Sequence, residues 1–103
     1  MRIPITMKTR DGSAFASGFY SETETVVLAG GKVSRVFRAG NVAQRYRDDP
    51  KLVDSDGNIL IDCTFSSSSL AAQFVNGNYS NGYRVWKAMG KNLGVYLSEY
   101  GLK

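Results

Sequence analysis

The chain has no histidine, and that absence narrows its chemistry more than any motif it contains. The usual proton shuttle near neutral pH is missing. One cysteine, Cys63, cannot build a zinc site by itself, nor can it form an intramolecular disulfide framework, which fits a reducing compartment. No apolar run approaches the roughly 20 residues needed to cross a bilayer. The N-terminus alternates apolar and polar residues from its second position instead of carrying the apolar block of a secretory signal. A cytoplasmic location with no membrane partner is therefore expected. Familiar site motifs are also incomplete. Asp54, Asp56 and Asn58 resemble the start of a calcium loop, but its twelfth position is Phe65 where a glutamate must close the site. Gly30-Gly31-Lys32 lacks the spacing of a phosphate-binding nucleotide loop. No metal and no cofactor is expected.

What is present suits one domain over residues 1–103, long enough to bury roughly 65% of the surface an unfolded chain exposes. Ile3, Ile5 and Met7 alternate with polar residues and predict a strand over 2–8, with Pro4 placing it at a sheet edge or a strand start. Asp11-Gly12 is a turn pair that returns 13–20 as the second arm of a hairpin, with Phe15 and Phe19 on one face. Val26-Val27-Leu28, within 25–29, reads as a central strand covered on both sides. Residues 32–37 fit an alternating strand or a short helix equally well. Asn41 is expected to cap a helix over 42–48, and the Asp54 to Gly57 cluster to turn the chain. Ile59, Ile61, Cys63 and Phe65 alternate through a strand predicted over 58–65, which places Cys63 inward as a small hydrophobe. Asn92 is expected to cap a last helix with Leu93, Tyr96, Leu97 and Tyr100 on one face, closed by Gly101. The fold class is α+β, a compact domain with a largely antiparallel sheet and two or three helices packed on it.

The most specific stretch runs from Phe65 to Trp86. Ser66 is placed to cap a helix whose apolar face is Leu70, Ala71, Phe74 and Val75, with Ser68, Ser69, Gln73 and Asn76 opposite. Asn76-Gly77 ends it through a left-handed cap. Asn81-Gly82 then predicts a tight turn into an alternating strand over 83–87, which sets Tyr83 and Trp86 on opposite sides, one inside and one available. Serine hydroxyls at a helix start are caps far more often than nucleophiles, and no activating base lies nearby in sequence, so no enzymatic activity is expected.

Binding chemistry is easier to build. Thirteen Lys and Arg against nine Asp and Glu leave a charge of +4, a mild excess that permits an anionic partner. Lys32, Arg35, Arg38, Arg45 and Arg47 form one basic group, Arg84, Lys87 and Lys91 a second, and five aspartates from Asp48 to Asp62 separate them. Ser66 and Ser67 at a helix start, with Lys32, Arg35, Arg84 and Lys87, suit contacts to a nucleic-acid backbone, while Asn81 and Tyr83 suit base edges or stacking. This reading requires the helix tip and the Asn81-Gly82 turn to lie on one cationic, solvent-facing ridge. The plainer reading treats Asn-Gly as a turn only, Trp86 as core and the cations as a solvated surface.

These residues also carry a resemblance. Phe65 to Ala72, Gly77, Asn81-Gly82-Tyr83-Arg84-Val85-Trp86-Lys87 and Gly90-Lys91-Asn92-Leu93 resemble a bacterial domain of unknown function found C-terminal to GIY-YIG-type nucleases. That domain is similar to the restriction-enzyme adenine methylase associated (RAMA) domain. Gly18-Phe19-Tyr20 and Val26 to Gly30 extend the likeness, so the family-like core spans 16–93. Ser68 replaces the family's proline, Gly31 its serine and Asn92 its threonine, and the segment from Lys32 to Asn58 is shortened. The resemblance implies a small DNA-binding module in bacterial or phage restriction, defence or counter-defence, with modified DNA as one form of target. The alternative is a protein-interaction module or mobile-element inhibitor that docks on a nuclease or other defence enzyme, with Tyr20, Tyr79, Tyr83 and Tyr100 as anchors. A homodimer through an edge strand is the third outcome.

Overall fold

Alternation dictates the first hairpin of the computed structural model, which describes residues 2–101. Ile3, Ile5 and Met7 are buried and the residues between them exposed, which makes β1 (Ile3–Lys8) a strand with one face on the core. β2 (Phe15–Tyr20) pairs with it antiparallel, from Ile3↔Tyr20 to Lys8↔Phe15. In the turn between them, Asp11 Oδ1 accepts from Thr9 Oγ1, Ser13 N and Ser13 Oγ at 2.9, 3.0 and 2.8 Å. Those bonds, the Ser13 backbone N–H first, draw the Asp11 carboxyl down to about 2. β3 (Thr25–Val27) is buried along its length between β2 and β4 (Cys63–Phe65), as a central strand should be. β5 (Lys87–Ala88) and β6 (Lys91–Asn92) extend the far side, giving one six-stranded antiparallel sheet in the order β4-β3-β2-β1-β5-β6. Pro4 stands near the start of β1, short of the Thr6↔Lys87 pair through which β5 joins.

Among the described residues four helices complete the α+β domain: α1 (Asn41–Asp48), α2 (Ser68–Asn76), α3 (Gly82–Val85) and α4 (Leu93–Glu99). The additional one relative to expectation is α3, a single turn. α2 is the helix on which the others converge, packing against β2, β3 and β4 below it and against α1 and α3 on either side. Its Phe74 ring lies 5.1 Å from Phe65 and 6.1 Å from Tyr46, and Tyr46 lies 4.3 Å from Phe65. Such aromatic contacts add about 0.5–1.5 kcal/mol per pair beyond the area they bury. Trp86 is 0% exposed, the largest fully buried side chain.

Several local expectations change. The strand predicted over 58–65 shortens to Cys63–Phe65, and Ile61, expected inward, is 49% exposed. The pairing is interrupted there because Gly30 N donates to Ile59 O while Leu60 N turns to Leu52 O, and Ala29 N is satisfied by Asp62 Oδ1 at 2.9 Å instead of by a ladder bond. Residues 32–37 form neither strand nor helix. They run as irregular chain, pinned by Ser34 N to Val75 O at 2.8 Å and by the bridges Lys32 makes to Phe15 and Asn58. Asn41 lies inside α1, capped by Gly40 without a side-chain bond, and Asn92 takes the N-cap position of α4 as expected but makes no side-chain cap bond, its amide being held by Lys87. Gly77 does close α2 in the left-handed region, at φ 81°.

Candidate nucleic-acid interface

The serine run starts α2 one residue later than expected. Ser67, extended at φ −150°, is the cap, and its Oγ accepts from Leu70 N at 3.1 Å. Ser66 is exposed and precedes it. Ser68, expected on the outer face, is buried, and its carbonyl accepts from Trp86 Nε1 at 3.0 Å. Ser69 Oγ accepts from Gly82 N at 3.0 Å. The Asn81-Gly82 pair is therefore not a hairpin turn. Asn81 Oδ1 accepts from Tyr83 N at 3.0 Å and caps α3, and Trp86 follows the helix as core. Gly82 is a packing residue: a Cβ there would lie 2.4 Å from the carbonyl carbon of Ser68.

So the serine-led tip and the Asn-Gly pair do meet, and Ser66, Ser67, Asn81 and Arg84 stay exposed around the contact. Arg84 lines an open cleft of about 440 Å³ with Asn81, Tyr83, Asn92 and Glu99. Tyr83 is half-buried, its ring edge-on to Tyr20 at 6.3 Å. Burial, followed by hydrogen bonding with Tyr83, pushes the Tyr20 phenol up to about 12. Neither tyrosine stands as a fully exposed anchor, whereas Tyr79 and Tyr100 do.

The basic residues divide. Lys32 and Arg35 lie at the C-terminal end of α2, beside Ser34 and Asn76, about 13 Å from the serine tip by helix rise. Lys87 projects from β5 with its ammonium on Asn92 Oδ1. The two basic groups of the sequence thus do not converge on the ridge at the serine tip. Arg47 turns inward and is half-buried: Nε donates to Phe74 O at 2.8 Å, and the terminal nitrogens donate to Ser34 O, Ser34 Oγ and Val75 O at 2.9, 2.9 and 3.2 Å. Its plane lies 4.7 Å from the Phe37 ring centroid, and burial lowers the guanidinium to about 10. This clasp on the carbonyl end of α2 complements the helix dipole. The one sequence signal for it was an arginine in the last turn of a predicted helix, which is equally common at the surface. Cys63 is buried as expected, and burial, then the charges of Asp62 and Asp49, push its thiol up to about 11.

The remaining cations are largely unmatched. Among the described residues Lys91–Glu99 is the one ion pair. No cluster of His, Cys, Asp or Glu among those residues is arranged to hold a metal ion, and none of the helices is long and apolar enough to cross a membrane. Against known families, residues 6–99 match the domain of unknown function DUF4357. No curated protein and no solved structure matches the chain.

Proposed function

We propose, for a chain that belongs to the DUF4357 family through nearly all of its length, a non-enzymatic nucleic-acid-binding module acting mainly on DNA in bacterial or phage restriction, defence or counter-defence. The observation that carries this reading is the unmatched positive charge: of the cations in the described residues, Arg47 is engaged internally and Lys91 with Glu99, while Lys8, Arg10, Lys32, Arg35, Arg38, Arg45 and Arg84 have no carboxylate partner. Unneutralised cations on an irregular polar surface suit phosphate, which is charged wherever a nucleic acid is touched. The exposed hydroxyl of Ser66 and the amide of Asn81, with Arg84 beside them, offer a second set of backbone and base-edge contacts. We propose as well the finer kinship with the domain following GIY-YIG-type nucleases and with the RAMA domain, which would agree with this reading. It would make the chain a targeting module that works alone or in trans.

Fluorescence anisotropy with labelled oligonucleotides, at salt from 50 to 200 mM, tests it. Affinity is expected to fall with a slope of about −0.9 per phosphate neutralised on duplex DNA. Absence of binding to modified and unmodified DNA at the lowest salt would refute it. A second reading, docking on a nuclease or other defence enzyme, draws on Tyr79 and Tyr100, 73% and 63% exposed. A stoichiometric protein partner retained after nuclease digestion, from a chain that binds no oligonucleotide, would favour that reading.

A further inference from the structure

The helices cover one face of the sheet, and on the other the residues of β1, β2 and β5 face solvent. Antiparallel pairing sets directly opposed residues on the same side, so the register assigns that open face: Lys8 opposite Phe15 and Phe15 opposite Lys32, then Thr6 opposite both Ser17 and Lys87, then Pro4 opposite Phe19. Phe15 is 41% exposed, an unusual position for a phenylalanine with a core available on the other side of the same strand. It is flanked in its row by two lysines. Phe19 is partly exposed, and the Arg2 guanidinium lies 4.4 Å from its ring centroid. Beside Phe15 the surface is concave, a groove of about 610 Å³ lined by Thr6, Lys8, Gly12, Ser17 and Lys87.

No carboxylate belongs to these rows; Glu24 borders them one row beyond Phe19, its carbonyl accepting from Ser21 N. Asp11, in the turn beyond Lys8, is engaged by Thr9 and Ser13, and Asp62, beyond β4, accepts from Ala29 N. Two aromatic rings about 13 Å apart along one strand, bordered by four cations and interleaved with small hydroxyls, match the needs of one ligand class. The Phe15 ring offers a π-face to an unstacked base, Phe19 with the Arg2 guanidinium over it offers a second stacking plane, and the cations offer charge to the backbone that joins them. A duplex keeps its bases stacked inside and cannot use the rings. An acidic peptide could use the cations but would leave both phenylalanines without partners.

We infer that the open sheet face binds single-stranded nucleic acid, with Phe15 and Phe19 as base-stacking platforms and Arg2, Lys8, Lys32 and Lys87 as backbone contacts. This rests on the nucleic-acid reading above and assigns it a surface and a strand state. It is distinct from the α2 tip, whose Asn81 and Arg84 lie outside these rows.

The test is anisotropy with labelled oligo-dT, oligo-U and a mixed-sequence duplex, on the full chain and on Phe15→Ala, Phe19→Ala and the double variant. Both side chains point away from the helix-covered core, and burial of Trp86, the sole tryptophan, reports folding of each variant by its emission. Single-strand binding is expected to weaken about 5- to 150-fold per ring removed and to survive Phe15→Tyr. The salt slope on a single strand should be about −3 if four cations each neutralise one phosphate, and Lys8→Gln with Lys87→Gln should lower its magnitude. That lysine pair also serves if the alanine variants fail to fold. The dT and U arms decide between DNA and RNA. Nucleic-acid binding that persists unchanged in the folded phenylalanine or lysine variants would overturn the assignment of this face while leaving the broader reading intact. Absence of binding to every oligonucleotide would overturn both.

Discussion

Gly82→Ala sets two local effects against each other, and the structure decides between them. Gly82 opens α3 and its φ is not in the left-handed region, so helix propensity favours alanine by up to about 1 kcal/mol. Packing opposes it. The new Cβ would lie 2.4 Å from the carbonyl carbon and Oγ of Ser68 and 2.6 Å from its carbonyl oxygen, where ordinary contacts between heavy atoms need about 3.5 Å or more. Two of those three atoms are backbone in the first turn of α2, so α3 must retreat by about 1 Å. That retreat strains the 3.0 Å bond from Gly82 N to Ser69 Oγ and the 3.0 Å bond from Trp86 Nε1 to Ser68 O, the latter fully buried. Overpacking costs about 1–3 kcal/mol, and a buried donor left without its acceptor costs about 1–3 more. The expected net loss is about 3 kcal/mol, a large share of the roughly 5–15 kcal/mol that holds a domain folded. Urea unfolding followed by Trp86 fluorescence measures it, with the midpoint expected to fall by about 1–3 M for a small domain. Ser68→Gly removes only the hydroxyl contact and should not rescue the variant. A Gly82→Ala midpoint equal to or above that of the parent would refute the argument, because propensity would then have prevailed over the close approach.

Arg47→Met keeps the stem of the side chain but removes the fork that joins Ser34 to the end of α2. A loss of about 2–4 kcal/mol in urea unfolding is expected, and Arg47→Lys should recover little of it, since an ammonium cannot reproduce a planar set of donors. In the opposite direction, Thr25 is buried in β3 with an unpartnered Oγ1. Thr25→Val replaces that hydroxyl by a methyl group of the same shape and should raise the thermal midpoint, stabilising by about 1 kcal/mol. An unchanged or lower midpoint would count against the hydroxyl being unsatisfied.

The strands of the first hairpin, the buried third strand, the left-handed close of α2 and the inward Cys63 were legible because each depends on signals a few residues long. Apolar residues at every second position, as in Ile3, Ile5 and Met7, can be buried in only one way on a pleated strand, and Gly77 is the residue that tolerates φ 81°. Local signals failed where two structures use the same ones. Asn81 accepting from the N–H two residues on serves a tight turn and a helix cap alike, and what selects the cap is contact with a segment more than ten residues away, the backbone of Ser68 against Gly82. Ile61 follows the alternation of a strand, yet it faces water because Leu60 N and Ala29 N find distant partners in Leu52 O and Asp62.

The fate of the charges was decided by tertiary structure alone. Arg45 and Arg47 are two residues apart in one helix; one is exposed, and the other is drawn in by carbonyl groups of α2 that no neighbour in sequence supplies. Lys32 and Lys87 are far apart in the chain and in different basic groups, and strand register puts both on the open face beside Phe15. Composition and periodicity determined that this chain would form an α+β domain with more cations than it could neutralise, since those depend on residue type and spacing. Which cations stay free, and what stands beside them, depends on long-range pairing between strands and helices, and that exists only once the chain is folded.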